Sequence, residues 1–190
     1  MTSVPLAGRL LVATPALRDP NFNRTVVLLL DHDESGTLGI VINRPTQLRV
    51  SDVLDSWSLL ATDPEVLFQG GPVGLDSALG LAELDQSFRD GEEEPVGWRQ
   101  LFGSVGLIDL DVPPEVLAPQ LRSLRIFAGY AGWGPGQLDD ELAQGAWCVL
   151  DSEPKDAFTG QPERLWQAVL RRQPGELAFL ATAPDDPSLN

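Results

Sequence analysis

The sequence of 190 residues has little positive charge, with 13 Lys and Arg against 28 Asp and Glu and a formal net charge of −15. One of the 13 basic residues, Lys155, is a lysine; the rest are arginines. DNA-binding proteins need a local surplus of basic side chains to neutralise phosphates. The arginines here are dispersed, and Arg171-Arg172 is the one adjacent pair. The composition therefore disfavours direct DNA binding and attachment to anionic membranes.

The chain also lacks long apolar runs, a second cysteine and a second histidine. No run approaches the roughly 20 residues of a membrane helix, and MTSVPLAGRLLVATP lacks the basic leader of a signal peptide. A lone Cys148 cannot form an intramolecular disulfide. Without a Cys cluster or an HExxH spacing, we expect no metal and no cofactor. These features predict a cytoplasmic monomer or small homo-oligomer.

An apolar content of 43% is typical of a globular protein, and the length fits one domain over 1–190. Strands are predicted over 9–13, 25–31, 38–44, 65–69, 77–84, 103–110, 124–130 and 146–151, and helices over 52–59, 112–123, 135–144 and 162–172. TVVLLLD is nearly continuous in apolar residues, which is typical of a central strand covered on both faces.

Two patterns predict how the strands pair. The turn residues of HDESGT make 25–44 a hairpin, and strand–helix–strand alternation over 103–151 indicates a parallel crossover. The fold class expected is α/β (mixed α+β), a compact single domain with a mixed parallel/antiparallel sheet flanked by helices. The acidic stretch 85–99 is expected to be a mobile polar loop.

The single histidine, His32, lies between Asp31 and Asp33 at the end of a predicted strand. It is a candidate metal ligand or a base oriented by an acid. The alternative is a polar strand end entering a turn, because adjacent strand residues point to opposite faces.

Two further polar groups follow or precede strands. Asn21 and Arg24 lie in DPNFNR, which predicts either a one-turn helix capped by Asp19 or a pocket that binds an anion. Asn43 and Arg44 precede a proline, which predicts either a turn or a guanidinium presented to a carboxylate or phosphate.

The segment GYAGWGPGQLDDEL poses the choice between a tight turn that starts a helix and a glycine-rich ligand cradle. A structural turn explains every residue. Gly129 allows close backbone approach, Gly132 and Gly134 allow positive φ, Pro135 suits the first helical position, and Gln137 reaches back to the Gly134 N–H. The cradle hypothesis makes Tyr130, Trp133 and Gln137 binding residues.

Taken together, several stretches resemble the AlgH family of bacterial proteins: GRLLVATPALRDPNFNRTVVLLLDHDESGTLGIVINRPT, FQGGPV and GYAGWGPGQLDDELAQGAW. The resemblance implies a compact mixed α/β domain of unusual topology. It implies no agreed biochemical activity and brings no catalytic residues. The transcriptional-regulator label that some members carry rests on genetic association. The positions that match the family pattern are Asp19, Pro20, Asn21, Phe22, Arg24, His32, Asn43, Arg44, Pro45, Gly70, Gly71, Pro72, Tyr130, Gly132, Trp133, Gln137 and Glu141.

Three functions follow from these observations. The first is a non-enzymatic binding or regulatory module for a small ligand or a protein partner. The second is a hydrolase or transferase that uses His32 or a carboxylate, with Arg24 and Arg44 clamping an anionic substrate. The third is a regulator that contacts nucleic acid directly. Convergence of His32, Arg24, Arg44 and Tyr130 in one pocket would favour the enzyme.

Overall fold

The structure is a computed structural model that describes residues 5–89 and 91–185. The described residues form ten strands of one sheet. They are β1 (Leu10–Ala13), β2 (Val26–Asp33), β3 (Gly36–Val41), β4 (Pro45–Arg49), β5 (Val66–Gln69), β6 (Val73–Leu84), β7 (Trp98–Phe102), β8 (Val105–Ile108), β9 (Leu121–Trp133) and β10 (Trp147–Leu150). The main path runs β10-β1-β2-β3-β9-β6-β8-β7, and β5 joins β4 to β9.

The helices of the described residues are short: α1 (Val50–Val53), α2 (Asp55–Ser58), α3 (Gln137–Ala143), α4 (Leu165–Arg171) and α5 (Glu176–Leu180). Within the described ranges, no helix has the length and apolar character needed to span a membrane. The helix predicted over 112–123 is wrong. That segment forms 3-10 turns at Pro114–Val116 and Ala118–Gln120, because Pro119 cannot donate the hydrogen bond that a continuous α-helix requires.

The α/β class is confirmed, but the prediction of a mixed sheet flanked by helices needs correction. The described strand pairings are antiparallel, apart from two residue pairs that join β5 to β9 in parallel. The predicted crossover over 103–151 is absent from these pairings because β6 lies between β8 and β9. The domain consists mostly of strands, with few helices.

The hairpin predicted over 25–44 is present as β2 and β3, which pair in antiparallel register with an irregularity between Leu29 and Asp31. The apolar run of β2 is buried on both faces, as predicted. Val26, Leu28 and Leu30 pack with α4 and its neighbours, whereas Val27 and Leu29 pack in a second cluster with Leu138 of α3. A third cluster joins α1 and α2 to β6, β8 and β9.

Strand β9 changes the face that it presents at Gly129. Phe127 and Tyr130, three residues apart, contact the same hydrophobic cluster, which strict alternation would not allow. The next residues, Ala131 and Trp133, belong to the opposite cluster. Gly129 has φ +74°, and a Cβ there would lie 2.7 Å from the Gly71 carbonyl oxygen. The predicted close approach at this glycine is confirmed.

Candidate functional site

The loop between β1 and β2 carries Asn21 and Arg24, and the residues between β3 and β4 hold this loop in place. The Asn43 side chain is buried. Its Oδ1 accepts a hydrogen bond from the Val26 N–H at 2.9 Å, and its Nδ2 donates to the Arg24 carbonyl at 2.9 Å. Asn43, two residues after β3, therefore links the start of β2 to the last turn of the loop and fixes the backbone of Arg24.

Arg44 completes this attachment. Its Nη1 donates to the carbonyl oxygens of Pro20 (3.0 Å) and Asn21 (2.8 Å), and its Nη2 donates to that of Asn23 (3.0 Å). Burial lowers the pKa of the Arg44 guanidinium, an effect that the nearby Asp19 carboxylate opposes. Of the five N–H groups of an arginine, three are already used here, so Arg44 positions the loop.

Arg24 is held in an unusual conformation by these contacts. Its φ is +55°, the one positive value among the described non-glycine residues. A side-chain-bearing residue in this region carries strain of about 1–2 kcal/mol, and such strained residues cluster at functional sites. The guanidinium lies 4.4 Å from the centroid of the Trp166 ring, on which it stacks.

A short stretch near the C-terminus contacts the same guanidinium. Arg24 Nη2 donates to the Ala183 carbonyl oxygen at 2.5 Å, and Nη1 lies 3.0 Å from Asp185 Oδ1. The Asp185 side chain is otherwise exposed. A carboxylate therefore already sits against Arg24 in the folded chain.

These residues border a cavity of about 540 Å³. A second guanidinium, that of Arg18, lines it together with Pro15, Ala16, Asn23 and residues 183–185. Among the described residues Arg18 forms no ion pair, and its side chain is exposed. Two guanidinium groups therefore line one cavity, and guanidinium N–H groups are the donors that charge-assisted hydrogen bonds to an anion require. We call it the Arg18–Arg24 cavity.

His32 lies elsewhere, at the end of β2 beside α3. Its Nδ1 is 2.7 Å from the Thr37 hydroxyl on β3, a residue with which it is in cross-strand register. The adjoining depression is lined by the carboxylates of Asp33, Glu34 and Asp139. Hydrogen bonds from Ser35 hold the pKa of Asp33 below its usual value. This acidic surrounding would repel an anionic substrate.

Trp133 and Gln137 are engaged in contacts between β9, β10 and α3. Glu141 Oε2 accepts hydrogen bonds from the indole N–H groups of Trp133 (3.0 Å) and Trp147 (2.8 Å), and its Oε1 accepts one from Gln137 Nε2 (3.0 Å). Gln137 Oε1 accepts the Gly134 N–H at 3.1 Å, as predicted. These contacts stabilise the turn from strand to helix.

Tyr130 faces the core side of β9, opposite Val73 of β6, and it is half-buried. The predicted site residues therefore divide. The structure brings Asn21, Arg24, Asn43 and Arg44 together around one loop. His32 and Trp133 lie beside α3, of which Gln137 is the first residue, and Tyr130 packs against Gly74.

The convergence expected for an enzyme is not observed. Arg24, His32 and Arg44 line three separate depressions of the described surface, and the third is a narrow cleft with Gln69 and Gly71. No group of three or more His, Cys, Asp or Glu side chains among residues 5–89 and 91–185 could hold a metal ion.

Sequence reasoning missed Arg18 and Asp185, which line the Arg18–Arg24 cavity, and Trp166, on which the Arg24 guanidinium stacks. Trp166 and Asp185 lie more than 140 positions after Arg24 in the sequence. No local motif connects them, so only the fold places them together. The positive φ of Arg24 is also invisible in the sequence.

Comparisons with known proteins agree with the resemblance noted above. The AlgH-like family matches residues 10–178. A UPF0301 protein of Streptomyces coelicolor is 64% identical over 191 residues, covering 100% of this chain and 98% of its own length. A UPF0301 protein of Streptomyces avermitilis is 65% identical over 192 residues, with the same coverage.

Two solved structures share the fold. The crystal structure of a Corynebacterium diphtheriae protein is 30% identical and superposes with a TM-score of 0.87, covering 96% of this chain and 95% of the other. The solution structure of the AlgH protein from Pseudomonas aeruginosa is also 30% identical, with a TM-score of 0.67 and 98% coverage of both chains.

Proposed function

We propose that this chain, which belongs to the AlgH-like family, is a non-enzymatic binding module for a small anionic ligand. The ligand carries a carboxylate or phosphate group and binds in the Arg18–Arg24 cavity. The observation that supports this proposal is the Asp185 carboxylate, which lies 3.0 Å from Arg24 Nη1, in the position that the ligand anion would take in its place.

Arg24 is prepared for such a ligand before the ligand arrives. The Trp166 ring packs against one face of its guanidinium. Asn43 and Arg44 fix the backbone of the loop through hydrogen bonds to its carbonyl groups. Preorganisation of this kind reduces the entropy that binding would otherwise cost. The strain at Arg24 is offset by these surrounding contacts.

The site favours recognition over chemistry. The described residues that border the cavity include neither a nucleophile with a base nor a histidine. The histidine and the acidic depression around it lie beside α3, and the carboxylates there disfavour the anionic substrates that a hydrolase or transferase of the predicted kind would take.

Isothermal titration of the full chain with succinate and, separately, with inorganic phosphate tests the proposal and distinguishes the two chemical groups. We expect saturable binding of at least one of them. Each charge-assisted hydrogen bond contributes about 1.5–3 kcal/mol. Arg24→Gln should therefore weaken binding by about tenfold or more, and Arg18→Gln should weaken it less because that side chain is exposed.

Arg99→Gln is the matched control, because it removes an exposed arginine on β7, outside the cavity. It should bind like the native chain. Arg24→Lys keeps the charge and should retain part of the affinity. Equal affinities of the native chain and the folded Arg24→Gln variant, or no binding of either anion, would contradict the proposal.

A further inference from the structure

A second cavity, of about 420 Å³, lies on another part of the molecule between the sheet and α4. Its wall combines the carboxylate of Glu83 and the hydroxyl of Ser123 with the apolar side chains of Phe158, Leu165 and Ala168. Glu83 and Ser123 are cross-strand partners on β6 and β9.

Glu83 is a buried carboxylate with weak partners. It is 9% exposed. The hydroxyls of Ser104 and Ser123 lie 3.4 and 3.5 Å from its oxygens, whereas hydroxyl hydrogen bonds are usually about 2.5–3.0 Å long. The nearest cation, the exposed Arg122 guanidinium, is 3.7 Å away. A buried ionised carboxylate is costly unless it is paired and hydrogen-bonded.

The two cations that line this cavity are matched by other acids. Arg172 binds both oxygens of Asp156 at 2.7 Å, and Lys155 Nζ lies 2.8 Å from Glu153 Oε2. These four charges cancel. Glu83 and the exposed Asp85 share the single guanidinium of Arg122, at 3.7 and 3.8 Å, so one negative charge is in excess beside the cavity. The site is therefore electrostatically suited to a cation.

We propose that this cavity binds an alkylammonium ligand, a small primary amine with an apolar tail. The ammonium group donates hydrogen bonds to Glu83 and to the Ser123 hydroxyl, because its three N–H groups supply close donors to a carboxylate whose present partners lie 3.4–3.7 Å away. The methylene chain packs against Phe158 and Leu165. The inference is independent of the Arg18–Arg24 cavity, which has the opposite charge and other residues.

Titration of the ¹⁵N-labelled full chain with n-butylammonium chloride tests the inference. We expect saturable shifts of the Glu83 and Ser123 amide resonances. Sodium butyrate, with a similar chain and the opposite charge, should produce none. Tetramethylammonium, which has the charge but no N–H donor, should bind more weakly. Glu83→Gln should weaken butylammonium binding by about tenfold or more.

Two further variants test whether binding depends on the cavity itself. Ala168→Phe keeps the Glu83 carboxylate but fills the cavity from an exposed position of α4, and it should also abolish binding. Glu163→Gln removes an exposed carboxylate just before α4, outside the cavity, and should bind normally. Absence of saturable shifts, equal binding of butyrate, or unchanged affinity in a folded Glu83→Gln variant would overturn the inference.

Discussion

Glu141 is the side chain that joins α3 to two strands, and its truncation should destabilise the domain. The carboxylate accepts the indole N–H groups of Trp133 and Trp147, and both indoles belong to residues that are 4–5% exposed. Glu141→Ala would leave both donors buried and without a partner. The two tryptophan rings, whose centroids are 5.9 Å apart, would also lose the carboxylate that both of their N–H groups bind.

The magnitude follows from the two donors. Each buried, unsatisfied polar group costs about 1–3 kcal/mol, so Glu141→Ala should lower the free energy of unfolding by about 2–6 kcal/mol. In a domain of this size, 1 kcal/mol shifts Tm by about 2–4 °C. Glu141→Gln keeps an acceptor for the indoles but places an amide opposite Gln137 Nε2, and it should cost about 1 kcal/mol.

Urea unfolding followed by far-UV circular dichroism and tryptophan fluorescence measures these differences. Asp139→Ala is the matched control, because it removes an exposed acid from the first turn of the same helix. It should change stability by no more than about 0.5 kcal/mol. If Glu141→Ala lowers the free energy of unfolding by less than about 0.5 kcal/mol, the prediction is refuted, because the indole hydrogen bonds would then contribute no measurable stability.

Two further predictions concern single residues. Gly71→Ala would place a Cβ 2.1 Å from the Tyr130 carbonyl group, so we expect the free energy of unfolding to fall by more than about 3 kcal/mol, or no soluble protein. Gly160→Ala is the control and should be tolerated, because no atom lies within 4 Å of its Cβ. Equal urea midpoints for the two variants would contradict this prediction. Burial raises the pKa of the Cys148 thiol, so DTNB should react slowly with the native chain and rapidly in urea. The thiol ionises at a lower pH in the unfolded chain than in the folded one, so Cys148 favours unfolding only as the pH rises above about 9. Rapid labelling of the native chain at neutral pH would contradict the burial of Cys148.

The strands that could be predicted are those with a strong apolar pattern. The run of β2, the hairpin with β3, and the strands around 65–69, 124–130 and 146–151 are all found. β4 and β7 were missed, because PTQLR is mostly exposed and WRQLF follows the acidic stretch in which a loop was expected. In such strands the partner strand supplies the stability, and local sequence does not reveal the partner.

Between Gly129 and Leu142, the sequence predicts one hydrogen bond correctly but does not predict which glycines adopt positive φ. The bond from the Gly134 N–H to Gln137 was predicted from spacing alone, and it forms. The positive φ values were assigned to Gly132 and Gly134, and this assignment is wrong, because Gly129 and Gly136 adopt them. The helix consequently starts at Gln137, two residues later than predicted. Several glycines could make the reversal, and strand pairing selects among them.

The polar residues at strand ends have side chains suited to binding, but residue type alone does not tell which of them face a cavity. Asn43 and Arg44 had the chemistry of a binding pair, yet their hydrogen bonds go to the backbone of the loop that presents Arg24. A residue whose donors are satisfied by its own chain acts through position, and Asn43 and Arg44 therefore decide where Arg24 points. Arg24 differs in that its Nη1 partner is the carboxylate of the exposed Asp185, at the border of a cavity. Under the proposed function, the ligand anion replaces that carboxylate on a guanidinium whose backbone the fold strains and supports.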